Sequence, residues 1–184
     1  MLFRKEKVVV YIDGGNTYRK LKELSIPKQD KRFDYTAFVN HLVGERELIS
    51  KRYYVGIVKN HDNSKKSEGM VKSQQKFLSG LENEGFVIKR GRIMYDGKRI
   101  REKGVDVKLS VDLVIGAVDD LYDTAIIVSS DTDLIPAIQY VRNAKNKQVE
   151  YIGFASNPSI GLIKSSKSRL FAESDLMPFQ VDKG

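Results

Sequence analysis

The chain contains no cysteine, which excludes disulfide staples, thiolate metal sites and a cysteine nucleophile. Its two histidines, His41 and His61, are too few for most histidine-rich metal centres, so a bound metal would have to rest on oxygen ligands. No run approaches the roughly 20 apolar residues of a membrane-spanning helix, and Met1 to Lys7 lacks the apolar core of a secretion signal. The expectation is a cytoplasmic protein with no membrane partner. No Gly-x-Gly-x-x-Gly fingerprint or P-loop follows any strand-like run, which argues against a nucleotide-binding enzyme. Internal repeats and low-complexity segments are absent as well.

What is present fits one folded domain, residues 1–184: the length supports a single core, with 41% hydrophobic and 30% charged residues. Thirty-two Lys and Arg stand against 24 Asp and Glu, a net charge of +8 that attracts polyanions through counterion release. This favours nucleic acid over an acidic membrane, although a solubilising surface would carry the same charge.

Val8 to Ile12 is an unbroken β-branched and aromatic run ending in Asp13-Gly-Gly-Asn16, the pattern of a central parallel strand buried on both faces. A short helix is expected over Thr17 to Leu24, closed by Pro27, and Asp34 is placed to cap a helix bearing Phe38, Val39 and Leu42. Tyr53 to Val58 reads as the second strand. Val71, Gln74, Phe77, Leu78 and Leu81 form a helical stripe stopped by Gly85, and Phe86 to Lys89 is the third strand. Asp96-Gly97 joins Arg92–Tyr95 to Lys98–Arg101 as a hairpin, a small basic flap near 92–101. From Val107 the apolar positions Val111, Val114, Ile115 and Val118 repeat at helical spacing, and Ala125 to Val128 is the fourth strand. A helix over Leu134 to Asn143, a strand over Val149 to Phe154 and a helix through Leu162 to Phe171 follow, the last within a C-terminal helical extension, 158–184. Strands alternating with helices imply an α/β sandwich around a mainly parallel sheet.

Open parallel sheets bind ligands beyond the carboxyl ends of their strands, where strand order reverses. Two strands here end in acid: Asp13 follows the first, and Asp131 with Asp133 follow the fourth through Ser129 and Ser130. Asp106, at the start of the helix preceding that strand, can project to the same edge. Asp112 lies six residues on, rotated by about 120°, so the two cannot share one helix face. Crowded carboxylates repel one another and persist when cations neutralise them, and oxygen-only ligands point to Mg²⁺ or Mn²⁺. Two such ions roughly 4 Å apart would support phosphodiester hydrolysis by water. Each acid also has a plainer reading. Asp106 and Asp133 could be helix caps, Asp13 could serve a turn with Gly14 and Gly15, Asn16 could be a cap or orient Asp13, and Asp112 could pair with Lys108 on a solvated face.

Three segments, Tyr11-Ile-Asp-Gly-Gly-Asn16, Lys103-Gly-Val-Asp-Val-Lys-Leu-Ser-Val-Asp112 and Val128-Ser-Ser-Asp-Thr-Asp-Leu-Ile-Pro136, together resemble the NYN domain, a branch of the PIN-like nucleases that includes the LabA-type bacterial proteins. Their order and spacing extend the resemblance over roughly Lys5 to Phe179, and Ser168-Arg-Leu170 with Asp175 and Phe179 resembles the family's closing segment. The third segment usually reads Ser-Gly-Asp-Ser-Asp, with glycine where this chain has Ser130. The resemblance implies a PIN-like three-layer α/β/α sandwich and metal-dependent cleavage of RNA. It places Asp13, Asp106, Asp131 and Asp133 at the acidic metal-binding positions, Asn16 and Asp112 at the next polar positions, and Lys103 at the basic one.

RNA, single-stranded by expectation, would then run past Lys59, Lys65 and Lys66, past Lys89, Arg90 and Arg92, and past Lys98, Arg99 and Arg101, with Tyr18 or Tyr95 stacking on a base. An endoribonuclease is the first reading. An RNA-binding adaptor without turnover, acting as a homodimer, is the alternative from another class. A magnesium phosphatase ranks last, because it calls for Asp-x-Asp where this chain has Asp13-Gly-Gly.

Overall fold

A computed structural model describes residues 4–28, 30–60, 62–96 and 99–182, without the side chains of 95, 96 and 99–102. The elements run β1 (Lys7–Asp13), α1 (Gly14–Glu23), β2 (Lys31–Phe33), α2 (Tyr35–Val43), β3 (Glu47–Ile57), α3 (Lys65–Asn83), β4 (Phe86–Asp96) and β5 (Arg99–Lys103). They continue as α4 (Val105–Val118), β6 (Thr124–Val128), a 3₁₀ turn at Thr132–Leu134, α5 (Ile135–Lys145), β7 (Gln148–Phe154), α6 (Ile160–Ser165), β8 (Lys167–Phe171), α7 (Glu173–Leu176), a second 3₁₀ turn at Met177–Phe179 and β9 (Gln180–Asp182). Seven strands form one sheet in the order β5-β4-β3-β1-β6-β7-β8, parallel except for β5, and β2 pairs with β9 in a small separate ribbon. No described helix is long and apolar enough to cross a membrane.

The β1 run is buried on both faces, as its unbroken apolar character requires. Val8, Val10 and Ile12 join a core with Phe38, Leu42, Leu78 and Leu81 from α2 and α3. Val9 and Tyr11 face the other way, toward Leu109 and Leu113 of α4 and Ile138 and Val141 of α5. Two apolar layers, one on each side of the sheet, make the α/β/α sandwich. From β1 the chain builds outward through β3 and β4, then returns over the sheet through α4 to build β6, β7 and β8 on the other side. Strand order therefore reverses between β1 and β6, where a parallel sheet opens its binding crevice.

Several boundaries differ from the sequence reading. β3 begins at Glu47, because its first residues alternate exposed and half-buried positions and no long apolar run marks them. α3 begins at Lys65, capped by the Ser64 hydroxyl accepting from Ser67 N–H at 3.1 Å. The expected helix over 162–171 is the short α6 followed by β8, whose polar Lys-Ser-Arg start belongs to an edge strand paired with β7. The C-terminal stretch is thus only partly helical. The hairpin is no separate element: β4 pairs with β3 as far as Arg92 opposite Ile57, and beyond that pairs only with β5, so the ribbon projects past the carboxyl edge of the sheet. Its turn and Lys98 lie outside the described residues.

Candidate active site

Asp13 closes β1 and is buried. One carboxylate oxygen accepts from Asn16 N–H at 3.0 Å, making Asp13 the N-cap of α1, so that helix starts at Gly14, earlier than the apolar pattern suggests. Gly14 has no alternative: an added Cβ would stand 2.4 Å from Cε1 of Tyr53. The second oxygen of Asp13 accepts from the Ser129 hydroxyl at 2.9 Å. That same hydroxyl accepts from Asp131 N–H at 3.1 Å, and Asp131 in turn caps the 3₁₀ turn by accepting from Asp133 N–H at 2.9 Å. Ser129 therefore ties the end of β1 to the loop after β6 across the crevice.

Asn16 fixes the same loop from the other side. Its amide oxygen accepts from both Ser130 N–H at 3.1 Å and Ser130 Oγ at 2.9 Å. The serine that replaces glycine in the third segment thus adds a contact. Burial raises the Asp13 carboxyl above its ordinary range; Asn16 N–H and the Ser129 hydroxyl pull it back, the charge of Asp131 raises it again, and Arg19 lowers it. In the sequence Ser129 and Ser130 only link the fourth strand to Asp131, and no pattern singles out Arg19.

Ser129→Ala should make Asp13 harder to ionise, since a hydrogen bond to its charged form is lost. The acid limb of any pH–rate profile governed by Asp13 is expected to move to higher pH. A profile superimposable on wild type would show that the bridge is only structural.

Of the other candidates, Asp133 follows Asp131 on the 3₁₀ turn, while Asp106 and Lys103 come from α4 and β5. Among the described residues no three Asp, Glu, His or Cys side chains converge closely enough to hold a metal ion. Asp133 is exposed, turned outward by the 3₁₀ turn. Asp106 lies in the first turn of α4 and does not cap it; Gly104, in the left-handed conformation, is the N-cap. α4 starts against β4, where a Cβ on Gly91 would meet Val105 at 2.4 Å, and the helix packs on β1 and on the 3₁₀ turn that carries Asp133. Lys103 ends the edge strand β5, three strands from β1, and lines a basic groove of about 560 Å³ with Arg90, Arg92 and Lys108.

Asp112 is neither a solvated residue nor a partner of Lys108. Its carboxylate accepts from Tyr54 OH at 2.7 Å and pairs with Lys89 Nζ at 3.0 Å and Arg52 at 3.5 Å. These partners lie on adjacent strands in register, with Asp13 opposite Tyr54 and Tyr54 opposite Lys89. Arg52 also stacks over the Tyr11 ring at 5.6 Å. Burial opposes ionisation of Asp112, but the hydrogen bonds from Tyr54 and Lys89 and the charges of Lys89 and Arg52 outweigh it and hold the carboxyl below its ordinary range. Lys108 instead donates to Arg90 C=O.

Lys59, Lys65 and Lys66 are exposed at the carboxyl end of β3 and the start of α3, the edge that Asp13 occupies. Arg92 is exposed at the base of the hairpin, whereas Arg90 is engaged with Glu82 at 2.6 Å and Lys89 with Asp112. The side chains of Arg99 and Arg101 lie outside the described residues.

An acidic crevice at the strand-order reversal of a mainly parallel α/β/α sandwich defines the class of the molecule. The NYN domain model matches residues 7–172, nearly the whole chain, and the protein belongs to the NYN-domain family. Membership implies PIN-like nuclease activity in general terms. A crystal structure of a protein of unknown function from Vibrio parahaemolyticus superposes with a TM-score of 0.70, at 23% identity, over 98% of this chain and 99% of that one, a likeness in fold. No curated protein matches the sequence.

Proposed function

We propose that the protein is a divalent-metal-dependent endoribonuclease of the cytoplasm that cleaves single-stranded RNA by phosphodiester hydrolysis. The observation that carries the reading is the pair formed by Asp13, buried with its carboxyl raised, and Asp131, held across the crevice through Ser129. Two like charges in a partly desolvated crevice suit a cation, and their all-oxygen donors suit a hard one. Mg²⁺ characteristically keeps several waters and takes only one or two carboxylates, so a two-carboxylate site fits one hydrated Mg²⁺ or Mn²⁺ better than a closed cage would. Bound there, the ion supplies Lewis acidity that polarises the phosphodiester and activates water.

The remaining residues position the substrate. Asn16 and Ser129 hold the two acid-bearing loops in fixed relation. Lys59, Lys65, Lys66, Arg92 and Lys103 offer phosphate contacts along the same edge and the hairpin base, which orient a strand without reading its sequence. Tyr18, 64% exposed on α1, supplies a ring on which a base can stack.

Single-stranded RNA incubated with the purified chain should be cut in Mn²⁺ and Mg²⁺ and remain intact in EDTA. One observation favours a second reading, an RNA-binding adaptor: no three-carboxylate group forms among the described residues. That reading expects salt-sensitive RNA binding with no turnover in any metal, and no loss of binding in Asp131→Asn. Cleavage that is metal-dependent and lost in Asp131→Asn selects the nuclease.

A further inference from the structure

α4 is apolar on two opposite faces. Leu109, Leu113 and Ala117 are buried against the sheet and α5, as an amphipathic helix requires. On the opposite face Val107 is 60%, Val111 48%, Ile115 48% and Val118 51% exposed. The repeat visible in the sequence is therefore largely the outward stripe. Four half-exposed aliphatic residues in one row on a charged, soluble protein mark an interaction surface.

From the pattern of that stripe we infer that its occupant is the α4 of a second copy of this chain, packed antiparallel about a two-fold axis. Val107, Val111, Ile115 and Val118 are separated by four, four and three residues, so Val111 and Ile115 lie equally far on either side of Leu113, and Val107 and Val118 lie six and five residues from it. An antiparallel second copy centred there sets Val111 against Ile115 and Val107 near Val118, with the same patch on both sides as a two-fold interface demands.

The charges obey the same symmetry. Lys108 and Asp119 are eleven residues apart, which leaves them within about 20° of each other around the helix and about 17 Å apart along it. They flank one side of the stripe at opposite ends. Antiparallel packing brings Lys108 of each copy toward Asp119 of the other, so the ion pair forms twice, whereas parallel packing would set Asp119 against Asp119. Asp119 has no cationic partner among the described residues and sits at the C-terminal end of α4, where a carboxylate opposes the helix dipole. A cation from a second copy satisfies it. The acidic edges of the two copies then lie toward opposite ends of the helix pair, and both remain open. This inference does not depend on the metal or on RNA.

The seam is short compared with the roughly 800 Å² per partner of a standard stable interface, so a reversible dimer in the micromolar range is expected. Sedimentation equilibrium of the full chain up to about 100 μM should give a monomer–dimer equilibrium. The double variant Val111→Glu/Ile115→Glu should be monomeric throughout, with an unchanged circular dichroism spectrum. Lys108→Asp should weaken dimerisation about tenfold, and Lys108→Asp combined with Asp119→Lys should restore it. Within one helix those two residues are too far apart to compensate each other, so restoration reports contact between copies. A wild-type chain that stays monomeric, a glutamate variant that still dimerises, or a charge-reversed pair that fails to restore dimerisation would each overturn the inference.

Discussion

Asp13→Asn is expected to abolish metal-dependent RNA cleavage and at the same time to raise the melting temperature. The loss should exceed about 10³-fold, since removing a charged ligand forfeits several kcal/mol of transition-state stabilisation. The gain in stability follows from the raised carboxyl of Asp13, dominated by burial. A carboxyl that titrates higher in the folded than in the unfolded state favours folding below the unfolded value of about 3.9 and loses that contribution as pH rises through the folded value. At neutral pH the ionised, desolvated group is a net cost, and the amide is free of it while still offering an oxygen to Asn16 N–H. Thermal melts of the two proteins in EDTA should therefore separate at pH 7 and converge toward pH 3. A stability loss on substitution would mean that Asp13 serves as a structural cap and little else.

Asp112→Asn should behave in the opposite sense. The carboxylate holds Tyr54, Lys89 and Arg52 together on one face of the sheet, and Arg52 Nε is already buried without a hydrogen-bond partner. Removing the negative charge leaves two cations facing each other in a half-buried setting, at a cost of about 2–3 kcal/mol. Asp112 titrates below its ordinary value in the folded protein. Its contribution is thus present above about pH 3.9 and is lost as pH falls through the lowered folded value. Urea melts should show the full difference at pH 7 and a shrinking one below about pH 4. Equal stability at pH 7 would remove the structural role.

These two aspartates mark what the sequence could and could not convey. Asp13 was legible because β1 is an unbroken apolar run with an acid at its carboxyl end, and β6 repeats the pattern before Asp131. Burial on both faces leaves that signature in composition alone. Asp112 was ambiguous because helix spacing says which residues share a face but not which strand residues lie under it; Tyr54, Arg52 and Lys89 come from β3 and β4, far away in the chain. Ser129 was illegible for a related reason: a serine at a strand end becomes a bridge only once β1 and β6 are known to be neighbours. β8 and the first half of β3 were missed where edge exposure and charge break up the apolar pattern. In α4 the periodic residues were visible, but periodicity gives no sign of which of two apolar faces is turned to the core.

That Asp13 and Asp131 together hold a divalent ion is tested most directly by titrating the purified chain with Mn²⁺ and following the free ion by electron paramagnetic resonance. One Mn²⁺ site, displaced by excess Mg²⁺ and lost in Asp13→Asn and in Asp131→Asn, is the predicted result. No binding by the wild-type chain, or binding that survives both substitutions, would contradict it.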